Sequence, residues 1–167
     1  MIGDALPRIY IQSTDVDLPR SAWSAWKPDA GPRCLRRELT ASERRALTTR
    51  MNELAPAVAP YGRAEAPHVA LALTDMYGGY TSMRQSGEEA EARVDSLLRL
   101  LAPYPAWAIQ KACRDIQING VWRDGKFDRR WPPNDAEIID AVRKEADLYV
   151  NIHRSAVALL SAEIEEE

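Results

Sequence analysis

The sequence predicts an all-α protein with about five helices in a compact bundle, preceded by an extended arm and ended by a long C-terminal helix. Three observations predict this fold class. Valine, isoleucine and phenylalanine are scarce relative to alanine and leucine, which favours helix over sheet. Apolar residues recur at three- and four-residue steps through much of the chain. Three capping boxes, each a polar residue followed three residues later by glutamate, mark helix starts.

Residues 1–39 lack sustained periodicity and contain four prolines. We therefore predict an extended or partly disordered arm there, and a single helical domain over residues 40–167. Trp23 and Trp26 either dock on the helical body or serve as anchors for a partner.

The first two helices follow from one capping box and two apolar stripes. Thr40 and Glu43 form the box, and the helix that it opens is expected to end at the prolines at positions 56 and 60. The next stripe predicts a helix over about residues 66–84. Gly78 and Gly79 within it indicate either the close approach of a neighbouring helix or a kink.

The other three helices are bounded by similar signals. A second capping box at residues 86–89 opens a helix that runs to about residue 102. Pro105 begins the next helix, and Gly120 is positioned to terminate it. Asn134 and Glu137 form the third box, and no glycine or proline interrupts the stripe from residue 134 to about 163. A helix of that length often pairs with another copy, so residues 134–163 are a candidate homodimer contact.

Composition bounds the class of protein. With 46% hydrophobic and 28% charged residues, the chain of 167 residues is typical of one globular domain. The two cysteines have no CxxC or Cys/His spacing, which favours a reduced, cytoplasmic location. No apolar run is long enough for a membrane span, and the N-terminus does not have the pattern of a signal peptide, so no membrane association is expected.

Charge is distributed unevenly although the net charge is only −3. Residues 31–50 carry six arginines against two glutamates, whereas residues 135–167 carry three basic against nine acidic residues. This polarity either steers an oppositely charged partner or is the solvated surface of ordinary helices.

The residues that usually carry catalysis or bind metal are sparse. His68 and His153 have no Cys, His or carboxylate partners at ligand spacing, and Cys113 lies on an apolar helix face. The chain contains no GxSxG, HExxH, P-loop or GxGxxG motif. We therefore expect a non-enzymatic protein without cofactor or metal.

The segment 121–133, predicted to be a loop, is the best candidate for a binding site. Aromatic and cationic side chains alternate along it, as in surfaces that bind single-stranded nucleic acid by stacking and phosphate contact. The alternative is that the aromatic rings pack back on the helices while aspartates pair with arginines. The predicted contact residues, which include three arginines of the basic region near residue 40, are Trp122, Arg123, Lys126, Phe127, Arg129, Arg130, Trp131, Arg36, Arg37 and Arg44.

One stretch has a familiar arrangement. After a leucine-rich helix end come residues 104–109 (YPAWAI), then Ala112 and Cys113, then residues 131–138 (WPPNDAEI). This arrangement, within residues 95–142, resembles small helical bacteriophage and prophage accessory proteins, some of which are similar to phage loaders of replicative helicases. The resemblance implies an all-α adaptor that works by protein–protein contact, with the host replicative helicase as its expected partner.

Two other functions fit the sequence. One is a phage inhibitor of host defence, similar to anti-CRISPR proteins, whose partner would be a defence nuclease complex. The other is a single-strand nucleic-acid binding protein that uses the 121–133 segment together with the Arg33–Arg50 region.

Overall fold

A computed structural model describes residues 34–35, 37–80 and 87–164 of the chain. Over these residues the protein is all-α, as predicted: five helices are accompanied by two short strand pairs. The helices are α1 (Ala41–Val58), α2 (Ala66–Gly78), α3 (Gly87–Leu101), α4 (Ala106–Asn119) and α5 (Asp135–Ser161). The strands are β1 (Cys34–Leu35), β2 (Val121–Arg123), β3 (Lys126–Asp128) and β4 (Glu163–Ile164).

The chain divides into two compact units, and the first contains the residues up to Val58 together with those from Leu148 onward. In this unit β1 pairs in parallel with β4, so that Cys34 lies opposite Glu163. Its core contains Leu35, Leu39, Leu47, Ala156 and Leu159. The end of the predicted N-terminal arm is thus fixed by buried leucines. Most of that arm, with Trp23 and Trp26, lies outside the described residues.

The predicted capping box at the start of α1 is confirmed. The Thr40 amide donates to Glu43 Oε2 at 2.9 Å, and the Glu43 amide donates to Thr40 Oγ1 at 3.2 Å. Helix α1 runs through Pro56 and ends at Val58, between the two prolines that were expected to end it. Pro56 has no amide proton to donate to the Asn52 carbonyl, so it removes one helix hydrogen bond, and the helix ends two residues later.

The second unit contains residues Ala59–Asp147, where α2 packs against both α3 and α4. Its buried side chains include Val69, Leu73, Met76, Leu97 and Ile109. The connection before α2 is tied down as well, because the Tyr61 hydroxyl donates to the Leu98 carbonyl at 2.7 Å. A unit built on an apolar core of this kind provides a rigid base for the segment that comes after α4.

Helix α2 ends at Gly78, so the prediction of a helix to residue 84 is wrong. The Gly79 and Tyr80 amides donate to the carbonyls of Met76 and Tyr77, which tightens the last turn and stops the helix. A Cβ built on Gly78 meets no neighbouring element within 4 Å, and one built on Gly79 comes only to 4.0 Å from Gln117 Cγ, an ordinary contact, so neither glycine is required by close helix packing. The helix ends at this pair, with Gly79 in right-handed backbone at φ −71° and ψ −14°.

The long C-terminal helix is confirmed as α5, an uninterrupted helix of 27 residues. Its capping box is also confirmed: the Asn134 amide donates to Glu137 Oε2 at 2.8 Å, and the Glu137 amide donates to Asn134 Oδ1 at 2.9 Å. Helix α3 begins at Gly87, although the side chains of the box at 86–89 lie outside the described residues. Among the helices described, none has the length and apolar character needed to cross a membrane.

Candidate functional site: an aromatic hairpin beside an acidic cleft

The segment after α4 is a β-hairpin, where a loop was predicted. Strands β2 and β3 pair antiparallel with Trp122 opposite Phe127 and Arg123 opposite Lys126. The turn is Asp124–Gly125, and both residues have positive φ, at 48° and 78°. Asp-Gly is a strong sequence signal for a two-residue hairpin turn, because that turn requires left-handed backbone at both positions. This was the signal that the loop prediction missed.

Gly120 fixes where the hairpin leaves α4. Its φ is +84°, and its amide donates to the Ile116 carbonyl at 2.8 Å to close the helix, as the terminator prediction requires. A Cβ at this position would lie 2.3 Å from the backbone oxygen of Asp128 in β3. The last hairpin strand therefore passes directly over the helix end, and only glycine leaves room for it.

Arg123 ties the hairpin to the start of α5. Its Nε and Nη2 donate to the two carboxylate oxygens of Glu137 at 2.6 Å each, and Nη2 also donates to the Pro132 carbonyl at 3.1 Å. The guanidinium hydrogen bonds hold the pKa of Glu137 below its usual range, and the same bonds raise the pKa of Arg123. Arg123 was predicted as a partner contact, but its side chain is engaged within the protein.

Three large aromatic side chains stay in solvent. Trp122, Phe127 and Trp131 are 61%, 59% and 63% exposed. The Trp122 and Phe127 rings meet edge to face, with centroids 5.0 Å apart and planes at 80°. The alternative in which these aromatics pack back on the helices is therefore wrong. We call Trp122, Phe127 and Trp131 the aromatic surface.

Some of the cationic side chains of this segment already bind groups within the protein. Arg130 pairs with Asp128 at 3.2 Å, and its hydrogen bonds lower the pKa of Asp128. Arg129 Nη2 donates to the Gln117 carbonyl at 3.1 Å. Lys126 is exposed and makes no ion pair with any residue that the structure describes. The pairing of aspartate with arginine expected for this segment is thus confirmed for Asp128 and Arg130, and it reduces the free positive charge.

A cleft of about 420 Å³ lies beside the hairpin, between α4 and the start of α5. Trp122 and Phe127 form one wall. The charged residues that line it are four carboxylates and one lysine, namely Asp115, Glu137, Asp140, Glu145 and Lys144. Lys111 binds Glu145 and lies 3.5 Å from Asp115. We call this feature the acidic cleft.

The predicted arginines near residue 40 belong to the other unit. Arg36 lies outside the described residues. Arg37 donates two hydrogen bonds to Glu43, at 2.9 and 3.0 Å, and so supports the cap of α1. Arg44 is exposed on the first turn of that helix.

Two buried reactive groups have no role in this site. Cys113 is 2% exposed, and burial raises the pKa of its thiol to about 12, which keeps it protonated and unreactive. Tyr77 is 6% exposed, and its hydroxyl has no hydrogen-bond partner among the residues that the structure describes. Over that same part of the chain, no cluster of His, Cys, Asp and Glu has the arrangement of a metal site.

No protein-family model, no curated protein sequence and no solved structure matches the chain.

Proposed function

We propose that this protein is a non-enzymatic accessory protein that binds another protein through its aromatic surface. The observation that carries the proposal is the exposure of Trp122 and Phe127, on a hairpin tied down at Gly120 and Arg123, and of Trp131 in the segment that follows it. Monomeric proteins rarely leave several large aromatics together in water, and tryptophan is among the residues that contribute most to binding at protein interfaces.

The partner that we put first is the replicative helicase of a bacterial host, in which case the protein is a phage or prophage loader or modulator acting in the cytoplasm. This choice rests on the resemblance of residues 95–142 to helical phage accessory proteins. A defence nuclease complex, inhibited in the manner of an anti-CRISPR protein, is the other protein partner that we propose. Both assignments use the same surface.

The test is direct binding of the purified full chain to purified replicative helicase, measured by biolayer interferometry. We expect the Trp122→Ala and Trp131→Ala variants to bind at least about tenfold more weakly, since an anchoring tryptophan contributes about 2 kcal/mol or more. Leu100→Ala is the matched control, because Leu100 is an exposed apolar residue of α3 that belongs to neither the hairpin nor the cleft lining.

Absence of binding by the wild type refutes the helicase assignment. Equal affinities of the wild type and both tryptophan variants refute the aromatic surface as the contact. The same variants are then measured against a purified defence nuclease complex. Weaker binding by the tryptophan variants is again expected, and no binding by the wild type or equal binding by all variants again refutes the assignment.

Binding of single-stranded nucleic acid is a second candidate, favoured by the exposure of Trp122 and Trp131 next to Lys126 and Arg130. Its test is the affinity for labelled single-stranded DNA at two salt concentrations. If the wild type does not bind at low salt, or if alanine variants of Trp122, Trp131 and Arg130 bind equally well, this candidate is refuted.

A further inference from the structure

The acidic cleft and the aromatic surface are continuous, because Trp122 and Phe127 belong to both. Apolar side chains also line the cleft, among them Ile116, Val121 and Ala141. The cleft thus offers contact to apolar groups while its lining carboxylates outnumber its one lining lysine. Such a site discriminates among partners by charge.

The carboxylates differ in how far they are engaged. Glu137 is held by Arg123, and Glu145 by Lys111. Asp115 and Asp140 are more exposed, at 49% and 72%; Asp115 lies 3.5 Å from the half-buried Lys111, and Asp140 lies 3.3 Å from the exposed Arg143. The exposed Asp140–Arg143 pair contributes little to stability, so Asp140 can exchange Arg143 for a cation of a partner. Asp115 shares Lys111 with Glu145, to which the lysine is closer, so Asp115 too can accept a second cation.

We infer that the acidic cleft receives a segment of the partner protein that is apolar on one side and carries lysine or arginine on the other. This inference rests on the proposed function and adds the chemistry of the segment. The apolar side chains would contact Ile116, Val121 and the Trp122–Phe127 wall, while the cations would face Asp115 and Asp140. A cleft of about 420 Å³ accommodates a few side chains.

Charge also separates this occupant from nucleic acid. A phosphate backbone placed along the cleft would face its carboxylates, and like charges brought together across an interface disfavour binding. Two arginines of the same segment, Arg123 and Arg130, already pair with Glu137 and Asp128. A basic peptide gains from the same arrangement that repels a phosphate.

The experiment measures fluorescence anisotropy of a labelled amphipathic peptide of leucine and lysine, mixed with the full chain. The matched probe is the same peptide with glutamate in place of lysine, and single-stranded DNA is the third probe. We expect the lysine peptide alone to bind, and its affinity to fall as salt rises. We expect Asp115→Asn combined with Asp140→Asn to weaken it about fivefold or more, since two attractive charges are removed.

The control variant combines Glu91→Gln with Asp95→Asn, which removes the same charge from exposed positions of α3 outside the cleft. It should bind the lysine peptide as the wild type does. Equal binding of the two peptides, equal weakening by both double variants, or preference for DNA overturns the inference. If Trp122→Ala abolishes binding to the purified partner protein and the cleft variant does not, the proposed function stands and this inference fails. If neither Trp122→Ala nor the cleft variant loses binding to the purified partner protein, both the proposed function and this inference are refuted.

Discussion

Replacing Gly120 by alanine tests whether the hairpin is fixed to the end of α4 by close backbone contact. Gly120 has φ +84° and ψ −169°, a region that is almost exclusive to glycine, and a side chain forced into it costs about 1–3 kcal/mol. The added Cβ would also lie 2.3 Å from the Asp128 carbonyl oxygen. That oxygen belongs to backbone and cannot swing aside as a side chain can, so the hairpin itself must shift.

Gly125 provides the matched comparison. It also has positive φ, at +78°, but a Cβ there meets nothing within 4 Å. Gly125→Ala should therefore show the conformational cost alone, about 1 kcal/mol. Gly120→Ala carries the collision in addition, and we expect a total loss of about 3 kcal/mol or more in the free energy of unfolding.

The assay is urea unfolding of the wild type and the two alanine variants, followed by far-ultraviolet circular dichroism. Equal m-values for the three proteins show that their midpoints can be compared as stabilities. The difference between the two alanine variants contains the collision together with the larger conformational cost at Gly120. If Gly120→Ala and Gly125→Ala lose the same free energy, β3 does not pass over the end of α4, and the position assigned to the hairpin is refuted.

Three further predictions concern buried or partly buried groups. Arg123→Met should lower the free energy of unfolding by about 1–2 kcal/mol, because it leaves the partly buried Glu137 carboxylate without its bidentate partner. Tyr77→Phe should leave stability unchanged or raise it, since it removes a buried hydroxyl that has no partner among the described residues. Burial also raises the pKa of Tyr77 to about 12, so the stabilisation that depends on its neutral form is complete below pH 10 and is lost as pH rises towards 12; Tyr77→Phe should flatten that decline. Cys113 should react with a thiol reagent only as fast as the protein unfolds.

Each of these three predictions has its own control or contradicting outcome. Arg143→Met breaks an exposed pair with Asp140 and should cause no measurable change; equal losses for the two arginine variants would refute the structural role of Arg123. A clear destabilisation by Tyr77→Phe, measured by urea unfolding, would mean that the hydroxyl is hydrogen-bonded after all. In a Cys34→Ser variant, where Cys113 is the remaining thiol, labelling within seconds followed by absorbance would contradict the burial of Cys113.

The helix starts could be predicted because the signal for them is local. Thr40 with Glu43, and Asn134 with Glu137, each lie within one turn, so sequence spacing alone brings the paired groups together. The continuous length of α5 was readable for a similar reason, since no glycine or proline falls within it.

The helix ends and the site were harder to predict. The Gly78–Gly79 pair is compatible with an end, a kink or a close contact, and the surrounding packing decides among them. Arg123 and Glu137 lie 14 positions apart, so their pairing follows from the hairpin and not from local spacing. Exposure of the aromatics likewise depends on which hairpin face meets the helices. The turn was within reach of sequence, since Asp124–Gly125 is a hairpin signal by itself.

Glu137 accepts hydrogen bonds from two places at once, the Asn134 amide at the start of α5 and the Arg123 guanidinium in the hairpin. One carboxylate is therefore shared by the helix cap and the strand pair. If the hairpin is displaced, Glu137 loses Arg123, and the carboxylate that caps α5 is no longer held in place. If the first turn of α5 unwinds, Glu137 moves, and Arg123 loses its partner. The two elements consequently open together as one cooperative unit, and their amide hydrogens should exchange with solvent at a common rate.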